Sequence, residues 1–252
     1  MHPSHLLIGE ACLIVRAQAL PNGYNQRPGI TLLAAAGSAP LTLEIEGQTA
    51  TADGWLLAPE LRRRFTRPQP HISITLEPGH PTYARLLAWA RQHPHHHRPL
   101  HSDAGIAALT RLADEQALVC WISRLLDRHQ QPAALPNPRL AHLLSLLRAA
   151  DTDVTAERLW QAFRQHYPGT QAHHSHWLQH SIGIPLRKLV LWRKLRRALE
   201  MLSDNRPATE VAHAAGFADS AHLSRICLRT FGLKPSQASN HKILQVQRLP
   251  TD

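Results

Sequence analysis

The residues best suited to chemistry lie near the carboxy terminus. Asp219 can cap a helix whose first turn holds Ser220, Ala221 and His222, with Arg225 one turn on. An arginine at that place can fork onto the O6 and N7 of guanine or hold a phosphate, whereas an alanine can touch only a thymine methyl. The run His93-Pro-His-His-His97-Arg-Pro-Leu-His101 offers imidazoles of the kind that hold zinc, nickel or copper. Its two prolines, and the lack of a carboxylate before Asp103, favour a solvated loop between domains. Arg62, Arg63 and Arg64 follow Pro59 and fit either recognition of an anionic effector or a basic surface loop. No GxSxG, HExxH or phosphate-binding loop is present, and no pair of carboxylates can be assigned to one pocket. The expectation is no enzyme, no cofactor and no metal.

The charge is placed where those residues are. The chain has 252 residues, 28 of them Lys or Arg and 18 Asp or Glu, for a formal charge of +10. Residues 151–252 carry 14 basic and 8 acidic residues, including all four lysines. A basic carboxy-terminal third suits a polyanion, because each neutralised phosphate releases counterions. No run approaches the roughly 18 apolar residues of a membrane span. Cys12, Cys120 and Cys227 are too few and too scattered for a disulfide scaffold, which suits a reducing cytoplasm.

The elements that must position these side chains follow from periodicity. Between about 10 and 77, short apolar runs are bounded by Gly, Pro and Asn, and Leu41, Leu43 and Ile45 alternate with Thr42, Glu44 and Glu46. That pattern predicts a small barrel or sandwich. From 81 the period becomes helical: Tyr83, Leu86, Leu87 and Ala90 share a face until Pro94. A second helix is expected over 103–129, capped by Asp103, with a stripe of Leu109, Leu112, Leu118, Ile122 and Leu125 that dimerises or packs on the barrel. Residues 130–138 hold three prolines and read as a linker. From 139 to 245 the pattern is almost wholly helical. Thr155 and Thr170 are caps, Gly183, Gly216 and Gly232 are stops, and a long basic helix runs from Pro185 to about Ser203. Two helix-turn-helix units thus flank a rod of about 17 residues, roughly 25 Å at about 1.5 Å per residue. That is of the order needed for neighbouring major-groove segments about 34 Å apart.

The run Val211-Ala-His-Ala-Ala-Gly216-Phe217-Ala-Asp219-Ser-Ala-His-Leu223-Ser-Arg225-Ile-Cys227, closed by Gly232 and Pro235, resembles the second helix-turn-helix of AraC/XylS-type transcription regulators. Leu223 and Cys227 stand where that family usually has phenylalanine. Gly183-Ile-Pro185 through Arg193, Ala198 and Leu202 resembles its linker helix. The first unit departs from the pattern: Leu159-Trp160 is followed by a helix and turn about four residues longer than usual, and His176 replaces a common arginine. Gly47 to Pro59 loosely matches the family's cupin barrels.

The resemblance implies an α+β chain with a cupin-like β-barrel over 1–80 and a helical connector with dimerisation helices over 81–130. A linker over 131–138 and a DNA-binding domain over 139–245 would follow. It implies base-facing roles for Gln171, Ala172, Ser175 and His176 in the first unit and for Ser220, Ala221, His222 and Arg225 in the second. His173 and His174 fit phosphate contacts or packing equally. The implied partners are double-stranded DNA read through the major groove, a second copy of the chain, a small-molecule effector and RNA polymerase. Two other readings remain open at this point. One is a metal-dependent cupin enzyme working through His71 or His80 with a basic tail, and the other is a nucleoid-type binder without sequence preference.

Overall fold

In the computed structural model, which describes residues 4–18, 23–101, 105–112, 114–202, 206–238 and 244–249, short strands are the main regular element of the first hundred residues. These are β1 (Ser4–Ile8), β2 (Cys12–Ala17), β3 (Ile30–Ala35), β4 (Leu41–Ile45), β5 (Gln48–Ala52), β6 (Gly54–Leu57), β7 (Arg63–Phe65) and β8 (His71–Leu76). Helix α1 (Tyr83–Arg91) and β9 (His97–Leu100) follow. Leu41, Leu43 and Ile45 are buried while Thr42 and Glu44 are half-exposed, as the alternation predicts. The β4–β5 hairpin closes through Glu46 and Gly47, both at positive φ (49° and 84°), the backbone that suits the right-handed twist of the flanking strands.

The strands do not close into the expected barrel. With β10 (Leu244–Arg248) they form a seven-stranded sheet in the order β10-β1-β2-β8-β3-β6-β9 and a separate three-stranded sheet, β5-β4-β7. The first of these strands, β10, comes from the far end of the chain and runs parallel to β1, so it extends an edge instead of sealing one. Closure is not needed for burial here, because both faces of the large sheet are already covered. Strands β3, β6 and β8 are therefore buried almost throughout. Ile30, Leu32 and Ala34 face a cluster shared with the helices, while Leu33, one residue out of phase, joins Leu41, Leu43, Ile45 and Trp55 between the two sheets.

The helices after β9 are α2 (Glu115–Arg128), α3 (Pro138–Ala149), α4 (Ala156–His166), α5 (Gln171–Ile182), α6 (Leu186–Leu202), α7 (Ala208–Ala214), α8 (Ser220–Phe231) and the single turn α9 (Pro235–Ala238). The helix expected over 103–129 is broken. Residues 106–111 form a 3-10 turn entered through left-handed Gly105, and α2 is capped by Asp114, whose carboxylate accepts the Ala117 N–H at 2.7 Å. Asp103, the expected cap, lies outside the described residues. The helical expectation also fails at the end of the chain. Leu244 and Val246 alternate with Gln245 and Gln247 and pair with β1 because that edge was free to accept them.

The apolar stripe of α2 is occupied within the chain: Leu118, Ile122, Leu125 and Leu126 lie in one cluster with β3, β8, α1 and α3–α5. A second cluster joins Leu6, Ile8, Leu13 and Val15 of the sheet to Trp192, Leu195, Leu199, Val211, Phe217, Leu223 and Cys227. The sheet-rich and helical parts thus share both cores.

Candidate nucleic-acid interface

Each of the two candidate reading helices begins at a side-chain cap and ends at a left-handed glycine. Thr170 Oγ1 accepts the His173 N–H at 3.2 Å, and Gly183 ends α5 at φ 82°. Asp219 Oδ1 accepts the His222 N–H at 2.6 Å, and Gly232 ends α8 at φ 72°. These devices are local, so the periodicity and the punctuation of the sequence located both helices.

Gln171, Ala172 and His176 are exposed on α5 and Ser175 is half-buried. On α8, Ala221 and Arg225 are exposed and Ser220 and His222 half-buried, with the His222 ring edge-on to Phe217 at 5.4 Å. The opposite face of α8, Leu223, Ile226, Cys227 and Thr230, is buried. The polar side of α8 therefore meets solvent. The two sets of residues stand on separate helices with α6 between them in the chain. His173 is exposed, but His174 is a packing residue: it is 1% exposed, accepts a bond from Arg139 and lies against Trp160 and Phe163. Burial first, and then the Arg139 charge, hold the His174 imidazole below its ordinary pKa.

The basic rod behaves differently from its sequence. Lys188 pairs with Glu60, Arg196 pairs with Glu77, and Lys194 donates to the Gly216 carbonyl at 2.9 Å. Arg193 donates to the carbonyls of Arg148 and Asp151, both at 3.2 Å, at the end of α3. Four of the rod's six cations thus tie the molecule together, and Arg187 remains exposed.

The carboxy-terminal ends of both helices are held by the sheet-rich part. Tyr83 Oη donates to the Ile182 carbonyl at 2.7 Å and Arg91 Nη1 to that of His180 at 2.6 Å. At α8, the Gln26 N–H donates to the Arg229 carbonyl at 2.9 Å, and the Gly23 backbone lies against Gly232. Sequence reasoning missed these anchors, because a backbone contact between distant segments leaves no local pattern.

The arginine triplet splits because β7 has a period of two. Arg62 and Arg64 point outward onto the Tyr24 ring, and Arg64 also bonds Glu44 at 2.8 Å. Arg63 points in and is 3% exposed, with Thr31 Oγ1 at 2.9 Å. Arg27, 7% exposed, donates to Ser73 Oγ and Thr75 Oγ1, both at 2.7 Å, and lies 5.3 Å over the Phe231 ring at the end of α8. Among the described residues its Nε has no partner. Burial lowers the Arg27 guanidinium to about 10, and burial together with Arg27 lowers that of Arg63 well below its usual value. All the side-chain bonds of these two buried cations go to neutral oxygens, a costly arrangement that an anion would relieve.

The two histidines of the metal-enzyme reading are each engaged by a neighbour. His71 Nδ1 bonds the Gln69 carbonyl and His80 Nδ1 bonds Thr82 Oγ1, each at 2.9 Å, and burial lowers both rings to about 4. The rings of His93, His95 and His97 lie 5.3–6.3 Å apart. Among the described residues no group of three or more His, Cys, Asp or Glu is placed to hold a metal ion. No helix among them is long and apolar enough to cross a membrane.

The family described as "Helix-turn-helix domain" matches residues 170–241, which run from the cap of α5 past α9. No curated protein matches the chain by sequence. Among solved structures, an apo form of ToxT from Vibrio cholerae is similar, with 11% identity and TM-score 0.63 over 94% of this chain and 99% of that one. ToxT from the same organism with an unsaturated fatty acid bound gives 10% identity and TM-score 0.58, over 92% and 96%. ToxT bound to (E)-4-(8-methylnaphthalen-1-yl)but-3-enoic acid gives 12% identity and TM-score 0.56, over 91% and 98%. Residues 170–241 are thus a helix-turn-helix domain of the kind the sequence motifs resemble, carried on a chain that has the fold of ToxT.

Proposed function

We propose that the chain is a sequence-specific transcription regulator that works in the cytoplasm without catalysis. In this reading Gln171, Ala172, Ser175 and His176 on α5, and Ser220, Ala221, His222 and Arg225 on α8, face the base edges of two successive major-groove segments. The observation that carries it is α8 itself: a capped helix inside the matched domain, buried on one side, with Arg225 free on the other. Residues 1–80 serve as the sensor, 81–130 as connector and 139–245 as DNA reader. A homodimer and contact with RNA polymerase belong to the same reading. The dimer needs a surface other than the α2 stripe, since that stripe is buried within the chain.

The effector is an anion, met by Arg27 and Arg63. Both ToxT ligands named above are carboxylic acids, and the side-chain bonds of the two guanidiniums here go to neutral oxygens, with the Glu60 charge acting on Arg63 without bonding it. Arg27 also touches Phe231, so a ligand there bears on the end of α8. Such a ligand acts only as far as it binds one arrangement of α8 better than another.

Selection of duplexes from a random library, followed by competition at several salt concentrations, tests the DNA reading. A regulator keeps a specificity ratio of roughly 10³ or more as salt rises. A binder whose preference vanishes as its affinity falls is a nucleoid-type protein, and the proposal fails. Turnover by the isolated chain that is lost with His71 or His80 would instead favour the enzyme.

A further inference from the structure

We infer that a groove between the two helix-turn-helix units is a cradle for a phosphodiester strand, with Arg187 and Arg229 as its free cations. This rests on the DNA-binding reading above and names contacts that the base-facing residues do not include. The groove has a volume of about 490 Å³. Its floor is α6, one wall is the start of α4 at Thr155, and the other is the α7–α8 turn with His222. Arg187, Lys188, Lys194 and Arg229 line it, and among the described residues no Asp or Glu does.

The lining cations fall into two kinds. Lys188 is neutralised by Glu60, and Lys194 is held by the Gly216 carbonyl, so both serve the fold first. Arg187 and Arg229 are exposed. Arg187 lies at the start of α6 and Arg229 near the end of α8. With Lys188 neutralised, the cleft keeps the charges of Arg187, Lys194 and Arg229, and among the described residues no acid lines it, so it favours an anionic occupant. The geometry of reading supplies one. If α5 and α8 enter major-groove segments about 34 Å apart, the backbone between those segments must cross the surface between the two units. That backbone carries one charge per roughly 1.7 Å of duplex axis. Contacts made there position the protein and carry no sequence information.

The test uses the full chain and two duplexes, one of random sequence and one chosen by selection, with affinity followed across a salt series. Replacing both residues (Arg187→Ala with Arg229→Ala) should lower the slope of log K against log salt by about 2, near 0.9 for each lost phosphate. The affinity should fall by the same factor on both duplexes, leaving their ratio unchanged. The paired Arg187→Lys and Arg229→Lys changes should restore most of the slope, because a point charge suffices for a phosphate. Arg124→Ala, an exposed arginine on α2, is the matched control and should leave the slope alone. An unchanged slope in the double alanine variant overturns the groove while leaving the DNA reading intact. Loss of affinity on the selected duplex alone also overturns it, since that would make these residues base readers. A wild-type chain that binds neither duplex overturns both.

Discussion

The two helix-turn-helix units are made cohesive by different means. In the second, the turn between α7 and α8 passes through Gly216 at φ 82°, and a Cβ there would stand 2.2 Å from the Thr152 carbonyl oxygen. The next residue, Phe217, sends its N–H back to the Ala212 carbonyl at 2.8 Å. In the first unit, cohesion comes from an aromatic cluster. Phe163, fully buried, lies 4.9 Å from Tyr167, 5.3 Å from His174, 5.7 Å from Trp160 and 5.8 Å from Trp177, ring centre to ring centre. A left-handed turn with a close backbone approach admits only glycine, so it leaves a residue at a set spacing. An aromatic cluster can be filled in many ways. That difference fits a motif that is clear around Gly216, inside the matched residues 170–241.

The largest expected effect breaks the aromatic cluster. Phe163→Ala should cost about 3–5 kcal/mol by urea denaturation. Hydrogen exchange should then show α4 and α5 losing protection before α7 and α8. Simultaneous loss in all four helices would mean that the units do not differ in this way. Gly216→Ala should cost more than about 1–2 kcal/mol, the strain of a left-handed alanine, with the carbonyl clash added to it. Its exchange signature should be confined to α7, α8 and the segment at Thr152.

Binding separates the units further. Arg225→Ala should weaken binding to a selected duplex by about 1–3 kcal/mol and relax preference at one base position. His176→Ala, which removes one imidazole from α5, should cost about 0.5–1.5 kcal/mol. A larger loss at His176 than at Arg225 would make α5 the stronger reading helix.

The smallest effect is in pH. Burial holds His174 neutral in the folded chain, so the unfolded chain takes up that proton first. Stability is therefore level above the ordinary imidazole pKa and declines as pH falls below it. The same sign holds for His71 and His80, which titrate in the folded chain near 4 and lose stability between about 6.5 and about 4. The share of the first unit is then the difference in acid slope between wild type and His174→Gln, read from urea midpoints. Equal slopes would place His174 outside the acid response.

Much of the candidate interface was legible in advance. The caps Thr155, Thr170 and Asp219 and the stops Gly183, Gly216 and Gly232 act within a few residues of themselves, and the structure uses each in its expected role. The alternation in β4 was legible for the same reason. Harder to read were partners drawn from far along the chain. The α6 cations looked like a surface for DNA, yet Arg196 reaches Glu77 and Lys188 reaches Glu60. The arginine triplet looked uniform until the pleat of β7 turned Arg63 inward beside Arg27.

Taken alone, the amino-acid order determined which segments are helices or strands near the reading heads and where they begin and end, because propensity, capping and left-handed glycines act over a few residues. Tertiary structure decided that the strands form an open seven-stranded sheet, that a carboxy-terminal strand joins its edge, and that most of the rod's charge is engaged internally. Those outcomes depend on which distant surfaces meet, and burial and Coulomb attraction choose among them only once the chain has folded back on itself.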